Sequence, residues 1–133
     1  MGVFNNIQSA LDTTLAGVSS IPHIVYQNVE YIPVQGTTYV RPTLLPANSP
    51  LLTISGAQKY AGIYQVDIFS PTGKGRGAAL TIAENIKTAF IANNRTITAG
   101  SDKIWVLQVN IGKGERQDAW DHIFVEIYYN CIS

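Results

Sequence analysis

The sequence predicts an α+β fold, in which two helices pack on one face of a mainly antiparallel sheet of four or five strands. Two observations lead to it. Two segments place apolar residues at three- and four-residue steps, as in an amphipathic helix, and several others alternate polar with apolar residues or are rich in β-branched and aromatic ones. The 133 residues suit a single domain covering 1–133.

The first helix is predicted at the start of the chain and ends near Gly17. Its apolar stripe consists of Phe4, Ile7, Leu11, Leu15 and Val18. Strand candidates follow at 23–28 and 37–45, and Pro42 places the second of them at an edge of the sheet. A further short strand is indicated at 52–54.

The middle of the chain carries the clearest patterns. Residues 60–69 alternate, with apolar side chains on one face and Gln65 and Asp67 on the other, which predicts a half-buried antiparallel strand. A second amphipathic helix follows, with the stripe Ala79, Ile82, Ala83, Ile86, Ala89 and Phe90. Two more strands are predicted at 103–111 and 121–130, joined by a hairpin connection.

The charges are few and unevenly placed. Charged residues make up 14% of the chain and the formal net charge is zero, so no overall field attracts nucleic acid. Residues 1–58 carry a net charge of −1, residues 59–116 carry +4 and residues 117–133 carry −3. A surface short of charge, with basic and acidic regions, favours contacts between copies of the chain.

The single cysteine, Cys131, excludes an intrachain disulfide and favours a reducing compartment. No apolar stretch approaches the roughly 18 residues of a membrane-spanning helix. We therefore expect a soluble protein that is intracellular when it is made and has no membrane partner.

A glycine-rich loop, TGKGRG at 72–77, joins a predicted strand to a predicted helix, as in many phosphate-binding loops. A P-loop needs Lys and then Ser or Thr after its last glycine, but Ala78 and Ala79 follow Gly77. The dinucleotide-binding motif G-x-G-x-x-G is not matched either. The sequence favours a turn, and a small anion- or nucleotide-binding enzyme that uses this loop stays as the alternative.

A second loop, IGKGERQ at 111–117, repeats the pattern of a lysine between two glycines with an arginine close behind. Solvated turns often have this composition. The alternative is a shared role, in which the basic side chains meet acidic groups of a neighbour or passing phosphates. These side chains are Lys74, Arg76, Lys113 and Arg116.

Candidate catalytic and metal-binding groups are sparse. His122 would share a strand face with Phe124 and Glu126, but one histidine and one carboxylate do not make a zinc site. Cys131 has no histidine nearby in sequence, and the serines lack a nucleophile elbow. We therefore expect no enzyme activity, no cofactor and no metal.

Seven tyrosines and two tryptophans are concentrated in the predicted strands. Core packing and strand propensity explain such residues. Tyrosine and tryptophan are also favoured in interfaces. Because the chain has few charged residues as well, we predict at least one large self-interface.

Taken in order, these segments resemble the tail terminator (tail completion) proteins of long-tailed bacteriophages, a family related to the lambda-type minor tail protein fold. The resemblance rests on the leading helix and three further blocks. These are HIVYQNVEYIPVQGTTYVRPTLLP (23–46), YAGIYQVDIFSPTGKGRGAALTIAENIKTAF (60–90) and DAWDHIFVEIYY (118–129).

The resemblance implies a structural virion protein that forms a ring of six copies on the tail tube. Such a ring ends tube polymerisation and offers a surface to the head-tail connector proteins, and DNA passes through it without sequence-specific binding. A head-completion or neck protein is a neighbouring alternative. The expected location is the head-proximal end of the tail, and the host cytoplasm during assembly.

A head-to-tail ring needs two complementary patches on each subunit. Besides the four basic residues of the loops, the sequence offers acidic residues near its end as interface candidates. These are Asp118, Asp121 and Glu126.

Overall fold

The computed structural model of the chain describes residues 3–18, 21–26, 38–46, 59–71, 77–99, 102–113 and 120–132. Over these residues the chain forms two helices and five strands. In chain order the elements are α1 (Val3–Ala16), β1 (Tyr39–Pro46), β2 (Lys59–Pro71), α2 (Gly77–Arg95), β3 (Thr96–Ala99), β4 (Asp102–Lys113) and β5 (Trp120–Ile132).

The five strands form one antiparallel sheet in the order β1-β2-β5-β4-β3. β5 is the central strand and pairs along its length with β2 on one side and β4 on the other. α2 connects β2 to β3, so the chain crosses the sheet between two strands that are not neighbours. This is the two-layer α+β arrangement that the sequence predicts.

Both helices bury most of their predicted apolar stripes against one face of the sheet. In α1 the buried residues are Ile7, Leu11 and Leu15, and in α2 they are Ala79, Ile82, Ala83, Ile86 and Phe90. The strand residues that face them alternate, such as Tyr64, Val66 and Ile68 in β2. The opposite side, here called the open face, carries the residues between them, including Gln65 and Asp67.

Three features differ from the sequence prediction or go beyond it. The candidate strand at 23–28 contributes, within its described residues, a single parallel bridge between Ile24 and Val40. The short strand β3 was not predicted, because four residues directly after a helix give too little periodicity. The candidate strand at 52–54 lies outside the described residues.

β4 contains an irregularity that the sequence also did not reveal. The register with β5 shifts between Val106 and Gln108, which leaves Leu107 as the extra residue of a β-bulge. Beyond the bulge, Gln108 and Asn110 lie on the open face and Val109 points to the core.

Neither described helix is both long enough and apolar enough to span a membrane.

Candidate interaction surfaces

The seven residues predicted to form interfaces fall into two groups. Those outside the described residues are Lys74, Arg76, Arg116 and Asp118. Those whose position is described are Lys113, Asp121 and Glu126.

The three described candidates have different environments. Lys113 is exposed at the end of β4, and Glu126 lies half-buried on the open face of β5. Asp121 is only 5% exposed and lies opposite Ser70, on the side of β5 that faces the helices. The role of Asp121 in an interface stays a prediction.

The glycine loop joins the two elements that the sequence predicts on either side of it, since β2 ends at Pro71 and α2 begins at Gly77. Residues 72–76 themselves lie outside the described part. Asp121 is paired with Ser70, so a buried carboxylate lies within two residues of the point where the loop leaves β2.

Five rings form a row across one end of the open face: Tyr39, Phe69, Trp120, His122 and Phe124. Tyr39 stacks on Phe69 with ring centroids 5.0 Å apart and meets Trp120 edge-on at 5.4 Å. Phe69 lies almost parallel to the His122 ring at 4.8 Å, and Phe124 follows at 6.1 Å. These rings cover one another within one subunit and so stabilise the sheet. This part of the aromatic content therefore needs no interface to explain it.

The last ring of the row covers a glycine. Phe124 lies opposite Gly112 of β4. A Cβ atom at position 112 would lie 2.3 Å from Cζ of Phe124, so the ring occupies the space that any other residue would need.

His122 also forms the main polar contact of the open face. Its Nε2 lies 2.7 Å from Oδ1 of Asp67, and the Gln65 side chain donates a hydrogen bond of 3.0 Å to the same oxygen. The sequence placed Glu126 on the face of His122, but the carboxylate that His122 contacts belongs to the neighbouring strand. Among the residues that the structure describes, no group of three His, Cys, Asp or Glu side chains could hold a metal ion.

A second polar contact links α1 to the sheet. The hydroxyl of the fully buried Tyr64 donates a hydrogen bond to Oδ1 of Asp12. Burial raises the pKa of Asp12, an effect that the hydrogen bond from Tyr64 partly offsets. Burial, with Asp12 as the next cause, also raises the pKa of Tyr64.

Asp12 opens onto a cleft of about 550 Å³ along α1. Its lining is Asn5, Gln8, Ser9, Asp12, Thr13, Ala16 and Tyr26. Among the described residues of this lining, Asp12 is the one with a charged side chain.

The outer edge of β1 is closed to further strands. The N–H of Val40 donates to the His23 carbonyl at 2.9 Å, and its C=O accepts from the Val25 N–H at 2.8 Å. Hydrogen-bonding direction alternates along a strand, so Pro42 and Pro46 also turn their nitrogens to this edge. A proline nitrogen has no hydrogen to donate, so the edge cannot form a regular ladder.

The opposite side of the sheet is more open. β3 pairs only with residues 102–105 of β4, and among the described residues no strand pairs with the outer edge of β4 beyond them. This part of β4 contains no proline.

Large apolar side chains are exposed near both edges of the sheet. On the β1 side, Tyr26 is 37% and Leu45 is 45% exposed. On the β4 side, Trp105 is 43% and Leu107 is 51% exposed. Single exposed apolar residues are ordinary, but pairs of them near both edges of the sheet favour contacts with other subunits.

A two-layer subunit with exposed apolar side chains near both edges of its sheet has the features of a structural protein that assembles with others. A family model described as phage tail terminator protein matches residues 6–129. Because the match covers most of the chain, the protein belongs to the phage tail terminator family. It is a structural protein of the phage tail and hence of the virion.

Solved structures agree with this on the level of the fold. Eighteen chains match. One, without a descriptive name, is 22% identical with a TM-score of 0.73, and the alignment covers 98% of this chain and 96% of the other. Another comes from the virion of a native gene transfer agent particle, is 16% identical with a TM-score of 0.62, and has the same coverage of 98% and 96%. No curated protein matches the chain.

Proposed function

We propose that this protein forms a ring that caps the phage tail tube when the tube reaches full length. The ring stops further polymerisation and offers a surface to the head-tail connector proteins. The observation that carries the proposal is the family match over residues 6–129. The proposed site of action is the head-proximal end of the tail, after synthesis in the host cytoplasm.

The partners of the proposed ring are further copies of the chain, the tail tube protein and the connector. Exposed apolar side chains near both edges of the sheet support self-assembly. The number six comes from the resemblance to the family, and nothing in the subunit sets it.

DNA would pass through the ring without sequence-specific binding. The open face supports this part of the proposal, because Arg41 lies in register with Asp67, and Glu126 adds a second carboxylate. A face of mixed sign gives little attraction to a polyanion.

The basic residues of the two loops are proposed to act at an intersubunit or tube-facing surface. Lys113, the one whose position is described, is exposed. Because exposed ion pairs contribute only about 0–1 kcal/mol each, replacing all four basic residues by alanine should barely move the melting temperature while tail assembly suffers.

Electron microscopy of tubes assembled with and without the protein tests the capping role. In its presence we expect tubes that stop growing and carry density at one end, and in its absence tubes of uncontrolled length. Binding to the connector with no effect on tube growth would overturn the proposal in favour of a neck protein.

Calorimetric titration with ATP, GTP and inorganic phosphate tests the enzyme alternative. The proposal expects no saturable binding. Micromolar binding that is lost in a Lys74→Ala, Arg76→Ala variant would contradict it.

A further inference from the structure

The direction of the backbone groups along the outer edge of β4 follows from the hydrogen bonds of β1. Val40 directs its N–H and C=O to the 23–25 segment, away from β2. This direction alternates along a strand, and the register is regular from β1 through β2 and β5 to the second half of β4. The N–H and C=O groups of Val109 and Ile111 therefore point away from β5. Within the described part of the chain, no strand pairs with them.

This stretch of edge lacks the features that normally prevent strand pairing, which are prolines, charged side chains and bulges. No charged residue and no proline occurs between Lys103 and Lys113. The bulge at Leu107 disturbs only the start of the free edge, since the register with β5 is regular from Gln108 onwards. Residues 108–112 are therefore competent to accept another strand.

Among the described strands, β4 itself is the one that a second copy can offer to this edge. β2 and β5 are paired on both sides, and prolines and the 23–25 segment close the edge of β1. β3 has only four residues, of which two at most direct their backbone groups outwards. Two β4 edges pair when a twofold axis relates the copies, because each then contributes the same residues in antiparallel direction.

We propose that two free copies of this chain pair through β4, antiparallel about a twofold axis at Asn110. Val109 of each copy then lies opposite Ile111 of the other, and each such pair exchanges two hydrogen bonds between backbone N–H and C=O groups. Both side chains lie on the helix side of the sheet and pack against the core. The pairing therefore brings β-branched side chains together and joins the apolar layers of the two copies.

The side chains select this register over its neighbours. A shift of two residues in one direction places Val109 opposite Lys113, and a shift in the other direction brings the bulge into the pairing. In the proposed register Asn110 meets its own counterpart on the open face, and Gln108 lies opposite Gly112, which has no side chain. No like charges therefore face each other along the contact.

The pairing goes beyond the proposed ring. A twofold contact uses the same surface on both copies and ends at two, so it does not build a ring of six. It describes the protein free in solution, before it reaches a tube. Because a single pair of short strands buries little surface, the association is weak and depends on concentration.

Disulfide trapping tests the position of the axis. In an Asn110→Cys variant the two new cysteines face each other without mutual backbone hydrogen bonds, with Cα atoms about 4.5 Å apart, which suits a disulfide. A mild oxidant should therefore convert most of the protein to a covalent dimer.

Gln108→Cys is the matched control, because it lies on the same face of the same strand. Its two copies are separated by four residues along the paired strands, or roughly 14 Å, so this variant should stay monomeric under the same oxidant. The unmodified chain is a second control, because its one cysteine, Cys131, is buried.

Charge variants test the same register without a covalent link. Asn110→Lys places two ammonium groups opposite each other and should move dimer formation, measured by sedimentation equilibrium, to several-fold higher concentrations. Gln108→Lys adds the same charge to the same face, but opposite Gly112, and should change dimer formation much less. Circular dichroism checks that each variant folds.

The possible results separate this inference from the proposed function. Equal trapping of the two cysteine variants, or a free protein that stays monomeric at every concentration, would overturn the inference. If the Asn110→Cys dimer does not form while the protein caps tubes normally, the inference fails and the proposed function stands. If the dimer forms as expected while the protein leaves tubes uncapped, the proposed function fails and the inference stands.

Discussion

His122 and Asp67 connect the two central strands through a direct contact, with Nε2 and Oδ1 2.7 Å apart. The contact runs diagonally, because His122 is paired with Phe69 and Asp67 with Phe124. It lies among the stacked rings of the open face, which shield both side chains from most of the solvent.

A double-mutant cycle of His122→Ala and Asp67→Ala should therefore give a coupling free energy of about 1 kcal/mol, measured by urea unfolding. A parallel cycle of His122→Ala and Glu126→Ala is the control and should be additive. Additivity in the first cycle, or equal coupling in both, would contradict the assignment of Asp67 as the partner.

Removing the hydroxyl of Tyr64 should lower the free energy of unfolding by about 1–3 kcal/mol, because the Asp12 carboxylate loses its buried donor. The matched variant is Tyr129→Phe. The Tyr129 hydroxyl is buried and has no hydrogen-bond partner among the described residues, so its removal should leave stability unchanged or raise it. A larger loss from Tyr129→Phe than from Tyr64→Phe would refute this account of the two tyrosines.

Stability should fall at alkaline pH. Burial raises the pKa of Tyr129 to about 12 from an ordinary value of 10.0. Between these values the unfolded chain loses the phenolic proton while the folded protein keeps it, so the stabilisation present below pH 10 is lost as the pH rises towards 12. Urea unfolding at a series of pH values should show a shallower loss for Tyr129→Phe, and an identical pH profile would count against the shift.

Gly112→Ala should destabilise the protein by about 1 kcal/mol, because the new methyl group takes space that the Phe124 ring occupies. In a Phe124→Ala background the same substitution should cost little or nothing. Thermal unfolding of the two single variants and the double variant measures this dependence, and equal losses in both backgrounds would show that the ring does not matter.

The two helices and four of the five strands could be predicted because their patterns repeat over many residues. The α2 stripe from Ala79 to Phe90 and the alternation of β2 are local signals, and tertiary packing agrees with both. β3 could not be predicted in the same way, since it exists because β4 offers it an edge at residues 102–105.

The candidate surfaces were harder to predict, because they depend on residues that meet only in the fold. Composition could indicate an interface, but it could not separate Trp105, which is exposed, from Tyr39, which other rings cover. It could not reveal that Asp121 lies inside the subunit. The bulge at Leu107 left no pattern in the sequence, and it decides which apolar side chain β4 presents to the solvent.

The closed edge of β1 limits how far these subunits could ever aggregate through their sheets. Two copies joined through their β4 strands would expose only β1 edges, where Pro42 and Pro46 provide no donors for a third copy. Fibril growth by strand addition would then end after a single step. The protein proposed to terminate a tail tube thus has a sheet edge that prevents its own copies from joining into a fibril.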